Sequence, residues 1–498
     1  MSEPAPPQVE TFSEAAAPGD KRLRRLLAGV TLGALPTEVR RARELGFAGW
    51  VDEQLQPDSL AENPHLTRKL EQLVTLDMAP ADLREFEVPD QDTAVRPILL
   101  KIAALRSGDE IQPLQLAQKQ LQQATLLRAI YSRRQLFEVV VDFWNNHFSI
   151  DQSKGDCRWL TTVNDRVIRA QTLGRFRDLL RAAVYSPAML FFLDNTQNRA
   201  VAPGSMVGVN ENFARELLEL HTVGVDGGYT LRDIQEVARC FTGWSMRGDK
   251  QLWSGEFVFD PAIHDDGAKV VMGLEIPAGG GERDGDLLID FLAAHPATAT
   301  FIATKLCRHF VADDPPTALI EQAAKTFREQ DGDLVAVLRV ILNSADYADR
   351  RNTKFKRPLD YIASSLRLLH AETSGEALLP YLESLGQQLF HWPLPDGFPD
   401  RGERWWPGLF ARWRFAIDLL TNKIAGTTVP TGELLQATGA AKPTDIVKAL
   451  AHRLFGIDAD ENWLAEMAAL APAKEEIPAT TAQEWLALLI TCPEFQWR

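Results

Sequence analysis

The stretch NENFARELLELHTVGVDGGYTLRDIQEVARCFTGW, residues 210–244, predicts two helices folded against each other. Apolar residues recur every three or four positions in both halves, which is the spacing of one helix face. Between the halves, residues 224–228 read GVDGG, and glycine tolerates the positive φ that ends a helix. Thr230 and Asp233 have the spacing of an N-cap and its partner, so the second helix is expected to begin near Leu231.

Charged side chains line this helical hairpin. The first helix carries a polar stripe of Asn212, Arg215, Glu216 and Glu219, and the second carries Asp233, Glu236 and Arg239. Burying such groups costs several kcal/mol each unless they pair or bind something. Two interpretations follow. Salt bridges from the two arginines to the four carboxylates pin the helices together, or the carboxylates face a pocket as an active or metal site.

Composition excludes several classes of protein. The chain has 498 residues, 45% hydrophobic and 24% charged, which is typical of a soluble globular protein of one large body or two to three units. A net charge of -15 argues against generic binding to nucleic acid or anionic membranes. Four cysteines without a CxxC pair signal neither a zinc knuckle nor a dense disulfide framework. No apolar run reaches the length of a transmembrane helix.

The N-terminus allows two interpretations. Residues 1–20 are rich in Pro, Ala, Ser and Glu and are predicted to be a disordered tail. The next segment, KRLRRLLAGVTLGALP, is similar to a twin-arginine export signal around Arg24 and Arg25, which would place the protein in the periplasm. Its apolar run is short and leads at once into a helix start at residues 36–40. We therefore predict a helix of the mature chain and a cytoplasmic location.

The remaining pattern predicts a mainly α fold, a large multi-helical body with one small β-hairpin insertion. The hairpin is expected within residues 253–281, with strands at residues 256–259 and 269–272. Residues 21–498 are predicted to form a single domain, with 21–250 and 285–498 as its sub-units. The acidic, proline-containing segment 78–97 is predicted to be a loop.

Three further segments supply candidate site residues. The helix FEVVVDFWNNHF ends with Asn146 and His147, where a histidine on an apolar face is either a core residue or a ligand. His264 and Asp265 follow the first predicted strand. Residues 390–416, FHWPLPDGFPDRGERWWPGLFARWRFA, contain Trp405 and three more tryptophans. This Trp-rich segment is predicted to be irregular until about Leu409, as an aromatic lid over the core or a stacking platform for a ring-bearing ligand.

Several motifs together resemble the bacterial family known as "domain of unknown function 1800". They are FWNNHF, SPAMLFFLDN, NENFARELLELHTVG, YTLRDIQEVARCFTGW, HDDGAKVVMG, FIATKLCRHFV and the terminal CPEFQWR. The resemblance covers nearly the whole chain from about Leu23. It implies no established activity. It does imply a partner, because members often look exported and lie beside genes for "domain of unknown function 1501" proteins, which resemble sulfatase-type hydrolases. The present chain departs from exported members in lacking a convincing signal peptide.

Two classes of function are argued from particular residues, and a nucleotide-dependent redox enzyme is a third class for which the sequence has no nucleotide-binding fingerprint. The first is a metal-assisted or acid/base hydrolase, since histidines and carboxylates hold divalent metals or transfer protons near neutral pH. Its predicted catalytic residues are Arg215, Glu216, Glu219 and His264; its predicted divalent-metal ligands are His147, Glu216 and His264; its predicted binding residues are Asn146, Asn212, Trp244, Asp265 and Trp405. No HExxH, GxSxG or Glu-x-x-His motif occurs, so the fold must assemble such a site. The second is a non-catalytic helical module whose Trp-rich segment holds a protein or glycan partner.

Overall fold

The computed structural model describes residues 20–87, 116–200, 204, 206, 208–248, 254–349, 354–455, 460–471 and 477–498. Helices dominate these ranges, which confirms the predicted mainly α fold. Residues 1–19 of the predicted tail lie outside the described part of the chain. The predicted N-terminal helix is present as α1, which spans Asp20–Ala28.

Nine further helices lead to the middle of the chain. They are α2 (Pro36–Gln54), α3 (Pro64–Glu71), α4 (Pro80–Glu87), α5 (Leu116–Tyr131), α6 (Gln135–His147), α7 (Cys157–Gln171), α8 (Phe176–Val184), α9 (Pro187–Phe192) and α10 (Asn212–Glu216). Helix α4 corrects the prediction of a loop at 78–97, because residues 80–87 are helical with proline at the first turn, where it needs no amide hydrogen bond. Residues 88–97 lie outside the described part.

The second half contains the other helices. They are α11 (Leu231–Cys240), α12 (Arg283–Ala294), α13 (Pro296–Phe310), α14 (Thr317–Glu329), α15 (Leu334–Leu342), α16 (Ala345–Asp349), α17 (Pro358–Leu368), α18 (Leu379–Ser384), α19 (Leu409–Leu420), α20 (Thr431–Ala437), α21 (Pro443–Phe455), α22 (Glu461–Ala468) and α23 (Ala479–Thr491). Helix α11 begins where predicted, since the Thr230 side chain accepts from the Asp233 amide and Asp233 accepts from the Thr230 amide.

The strands pair differently from the prediction of one β-hairpin. Strand β1 (Trp244–Met246) pairs antiparallel with β2 (Phe257–Phe259), and β3 (Lys269–Val271) pairs antiparallel with β4 (Leu274–Ile276). Both predicted strands exist, but each takes a different partner, because Met272 and Gly273 form a tight turn with positive φ directly after β3. A third ladder joins β5 (Glu372–Thr373) to β6 (Thr427–Thr428).

One buried apolar cluster runs from Leu26 near the N-terminus to Phe495 near the C-terminus. The helical hairpin contributes to it through Phe213, Leu217 and Val237, which are all at most 1% exposed. Trp244 is fully buried, and a Cβ added at Gly285 of α12 would meet its ring at 2.3 Å. Only glycine allows this close approach, so the end of the hairpin is fixed against α12.

Candidate functional site

The first helix of the hairpin does not continue as a regular α-helix. After α10, residues Leu217–His221 form a π-helical turn. The wider turn leaves backbone oxygens for other donors: the Thr222 hydroxyl donates to the Leu217 carbonyl at 2.7 Å, and Nε2 of His147 bonds the His221 carbonyl at 3.1 Å. The helical period changes within the predicted polar stripe, but Arg215 still pairs with Glu219 at 3.4 Å, and Glu219 still lies near enough to Glu216 to add to the effect of burial in raising its pKa. Single π turns occur frequently at functional sites.

Two histidines lie buried beside this turn. His147 and His221 are 1% and 2% exposed, and their ring centroids are 5.8 Å apart. Burial lowers the pKa of His221 to about 3, with a further contribution from the Lys305 ammonium. Burial, then Lys305 and His221, lower the pKa of His147 well below its usual value. Nδ1 of His147 and Nε2 of His221 have no hydrogen-bond partner among the described residues, so both rings are neutral at pH 7 with one nitrogen each unpaired.

Glu216 and Lys305 carry the unpaired charges near this histidine pair. Both are partly buried, and neither makes a hydrogen bond or ion pair with any residue in the described ranges. Burial and the nearby Glu219 raise the pKa of Glu216, and Asp396 raises it further. Burial lowers the pKa of Lys305, against the attraction of Asp400 and Asp396. The two groups are thus shifted in opposite directions, each toward its neutral form.

The Trp-rich segment brings Asp396 to these groups. The Asn146 side chain donates to the Phe398 carbonyl at 3.0 Å and accepts from the Phe398 amide at 2.7 Å. A Cβ at Gly397 would lie 2.2 Å from the Asn146 carbonyl oxygen, so the segment sits directly on the end of α6. Asp396 acts on the pKa of both Glu216 and Lys305. We use the name Glu216 cleft for the set Glu216, His221, Lys305 and Asp396, whose members are linked through these effects on their pKa values.

An open cavity of about 710 Å³ lies within the Trp-rich segment. Its lining combines aromatic rings, charged groups and backbone: Ser384, Leu385, Gly386, Trp392, Asp396, Gly397, Phe398, Pro399, Asp400, Arg404, Trp405, Pro407 and Gly408. Trp405 is 6% exposed and donates to the Pro399 carbonyl at 3.1 Å, while its ring lies 6.3 Å from that of Phe398. The α-helix begins at Leu409 as predicted, but Gly402–Gly408 directly before it form a 3₁₀ helix, which corrects the prediction of irregular structure up to that point.

The opposite end of the hairpin holds a second set of charges. Arg239 bonds Asp265 at 2.7 Å and Glu236 at 2.5 Å, and Asp265 also accepts from the Gly204 and Gly267 amides at 2.9 Å. The fully buried Lys269 bonds Asp284 at 2.6 Å. His264 lies 3.4 Å from Asp284 through Nε2, and its Nδ1 bonds the Thr242 carbonyl at 2.8 Å. We call Arg239, His264, Asp265, Lys269 and Asp284 the Asp265 network.

The predicted salt bridges between the two hairpin helices are not formed. Arg215 pairs with Glu211 and Glu219, both at 3.4 Å, within its own helical segment. Arg239 pairs with Glu236 one turn earlier and with Asp265 of the following loop. Among the described residues no ion pair joins the two helices, because each arginine reaches a carboxylate closer to it in its own segment or loop.

The structure separates the other predicted site residues. Asn212 is exposed and donates to the Leu193 carbonyl at 3.3 Å. Trp244 belongs to the core, and Asp265 is fully enclosed by its donors. The metal set of His147, Glu216 and His264 is not assembled, since no group of three or more His, Cys, Asp or Glu side chains in the described part could hold a metal ion. His147 is fixed at the π turn and His264 beyond the second helix, at Thr242.

Sequence reasoning missed Lys305 and Asp396 as site residues. Lys305 lies within the otherwise apolar run FIATKL of α13, and a single lysine in such a run is the signal that points to a desolvated amine. Asp396 follows Pro395 in an irregular segment, and no periodicity there predicts its neighbours.

A comparison with models of known protein families identifies the family of this chain. A sequence model of the family described as "Protein of unknown function (DUF1800)" matches residues 25–497. The chain belongs to this family. No curated protein and no solved structure matches it. The DUF1800 match includes the hairpin, the end of α6, α13 and the Trp-rich segment, so the Glu216 cleft lies wholly within the family region.

No single helix in the described ranges is long and apolar enough to cross a membrane. Helices α12 and α13 satisfy the length and composition criteria only as a pair, bent by 61° at the residue between them.

Proposed function

We propose that this DUF1800 protein is an acid–base hydrolase whose site is the Glu216 cleft. The observation that supports the proposal is a carboxyl and an amine that both lack a hydrogen-bond or ion-pair partner in the described ranges, that both respond to Asp396, and whose pKa values are displaced in opposite directions. Structural charges are normally paired when they are buried, and catalytic acids and bases are the common exception. In the Asp265 network, by contrast, the buried Arg239 and Lys269 are each paired with a carboxylate.

The two groups suit complementary roles. A carboxyl with a raised pKa retains its proton closer to neutral pH and donates it to a leaving group. An amine with a lowered pKa is neutral in a larger fraction of molecules and accepts a proton from an attacking water. In the proposed reaction Lys305 takes the water proton, the hydroxide oxygen bonds the substrate, and the departing oxygen takes the proton of Glu216. Asp396 favours the protonated form of both groups.

The cavity of the Trp-rich segment supports a second candidate, a non-catalytic binding module. Its rings of Trp392, Phe398 and Trp405 and its charged groups Asp396 and Arg404 suit a ligand with a flat apolar face and several hydroxyls, such as a glycan. A "domain of unknown function 1501" protein is the partner that the family resemblance favours for either function.

The first experiment separates the two candidates. Purified wild type is assayed against chromogenic carboxylate, phosphate and sulfate esters and glycosides, together with Glu216→Gln and Lys305→Met. Exposed Glu275→Gln and Lys325→Met are the matched controls, because they remove the same groups elsewhere. We expect hydrolysis of at least one class, a bell-shaped pH profile, and a loss of ~100-fold or more in each cleft variant only.

The contrary results are equally specific. If both folded cleft variants retain wild-type activity, the Glu216 cleft is not the site. If wild type hydrolyses none of the four classes but binds an oligosaccharide in calorimetry, and Trp392→Ala weakens that binding, the binding module is the better description.

A further inference from the structure

Helix α19 exposes an apolar face that the fold does not cover. Its inner face places Phe415, Ala416 and Leu419 in the core at 0% exposure. Its outer face carries Leu409, Phe410, Trp413 and Ile417, with Trp406 just before the helix begins. At ~100° per residue these four helical positions fall on one arc of about a quarter of the helix circumference. We call the five residues the α19 stripe.

The exposure of this stripe is unusual within the described part of the chain. Phe410 is 83% exposed, Trp413 58% and Trp406 52%. Every other phenylalanine and tryptophan whose side chain the structure describes is buried or only partly exposed. The indole N–H groups of Trp406 and Trp413 donate to no described residue. Contiguous exposed apolar surface on a soluble protein marks an interaction site, whereas scattered single residues do not.

Exposed basic side chains lie next to the stripe along the chain. Arg404 precedes it, Arg414 lies at its edge with 78% of its side chain exposed, and Lys423 follows the helix. On the acidic side, Glu403 is exposed, while Asp418 is 19% exposed and is held by the Tyr381 hydroxyl at 2.9 Å and by Arg414 at 3.7 Å. Within residues 403–423 the exposed charged side chains are therefore three basic and one acidic, although the whole chain carries -15.

We propose that the α19 stripe docks on an anionic lipid surface. Tryptophan and phenylalanine on one face with arginine beside them is the composition of helices that lie in a membrane interface. The two indoles place their rings at the headgroup level and their free N–H groups toward lipid oxygens. A second copy of the chain is the other occupant to consider, but it would set Arg404 and Arg414 against the same positive rim. The proposal does not depend on the proposed hydrolase activity.

Vesicle co-sedimentation tests the proposal on the full chain. Wild type is mixed with phosphatidylcholine vesicles that contain or lack phosphatidylglycerol. We expect binding that increases with phosphatidylglycerol and decreases with salt. The double variant Phe410→Ser/Trp413→Ser should lower the partition coefficient by ~10-fold or more, because it removes the largest inserting side chains. Arg404→Glu/Arg414→Glu should remove the dependence on phosphatidylglycerol.

A matched control keeps the test specific. Val225 and Leu231 are 68% and 60% exposed on the helical hairpin, so Val225→Ser/Leu231→Ser removes a comparable pair of exposed apolar side chains elsewhere. This variant should bind vesicles like wild type, and circular dichroism should show all variants folded. The proposal is overturned if wild type sediments with neither kind of vesicle. It is also overturned if Phe410→Ser/Trp413→Ser and Val225→Ser/Leu231→Ser lose vesicle binding equally.

Analytical ultracentrifugation without lipid measures the oligomeric state and tests the second copy as the occupant of the stripe. If wild type dimerises, Phe410→Ser/Trp413→Ser is monomeric and neither sediments with vesicles, the stripe is a self-association face and the lipid proposal is wrong. A monomeric wild type that binds anionic vesicles supports it.

Discussion

The two ends of the helical hairpin contain the same residue types in opposite states. In the Asp265 network every charged group has a counter-charge or a ring of backbone donors within hydrogen-bond distance. In the Glu216 cleft, a carboxyl and an amine that are only partly buried have no hydrogen-bond or ion-pair partner among the described residues, and the Lys305 ammonium lies 5.7 Å from the centre of the Phe301 ring. The difference shows that charge pattern alone does not predict which charged groups are paired. We use the lack of a partner as the criterion for a candidate site, because an unpaired buried charge costs stability that a purely structural role would not require.

The largest expected loss of stability follows from removing one charged partner in the Asp265 network. Asp265→Ala leaves the buried Arg239 guanidinium with Glu236 as its one carboxylate partner, beside the Ala268 carbonyl, and should lower the free energy of unfolding by about 3–5 kcal/mol. Urea denaturation at pH 7 measures it. As a control, Asp331→Ala removes the partner of Arg175 in an exposed ion pair, and should cost less than about 1 kcal/mol. If Asp265→Ala and Asp331→Ala lowered the free energy of unfolding equally, the buried ion pair would contribute no more to stability than the exposed one.

Low pH should destabilise the end of the hairpin that carries the Glu216 cleft, because His221 is buried there in its neutral form. Because the pKa of His221 is about 3 when folded and ~6.5 when unfolded, the unfolded chain binds more protons between these values. This contribution to stability is complete above pH 6.5 and is lost as the pH falls toward 3. Between pH 7 and pH 5 the loss should be about 2 kcal/mol for this residue.

Urea denaturation of wild type and His221→Leu at several pH values checks this slope. Stability relative to the variant should fall with decreasing pH below 6.5. Parallel pH profiles for the two proteins would contradict a neutral, buried His221.

A smaller and opposite effect is expected at Lys305. Removing an unpaired, desolvated amine should stabilise the folded state, so Lys305→Met should raise the free energy of unfolding by about 1 kcal/mol. The exposed control Lys325→Met should change it by less than ~0.5 kcal/mol. A clear loss of stability in Lys305→Met would mean that the ammonium has a structural partner.

The smallest effect is expected at Glu216. With no partner to lose, Glu216→Gln should change thermal and urea stability by less than ~0.5 kcal/mol. Glu138 is the matched case, because its carboxylate bonds Arg169 at 2.6 and 2.9 Å and is 7% exposed. Glu138→Gln should cost about 2 kcal/mol or more. If the two variants were equally destabilised, Glu216 would be structural and the proposed cleft would lose its acid.

Local patterns in the sequence were sufficient for the hairpin and for the class of fold. The turn glycines Gly224 and Gly228 have positive φ, and Thr230 caps α11. These predictions succeed because helix periodicity, caps and turns depend on residues only a few positions apart. The strand pairing was predicted less well, because two short strands can each find another neighbour.

The membership of the site was decided by tertiary contacts. The sequence supplied Asn146, His147 and Glu216 as candidates, but it grouped His147 and Glu216 with His264, which the fold places in the Asp265 network instead. It did not supply Lys305 or Asp396, which lie far along the chain from Glu216. Whether a charged side chain is paired depends on which distant segments reach it and on how much water they exclude. No local spacing encodes those two quantities, so the sequence determined the helices and the charges they carry, and only the packed structure decided which charges were left free.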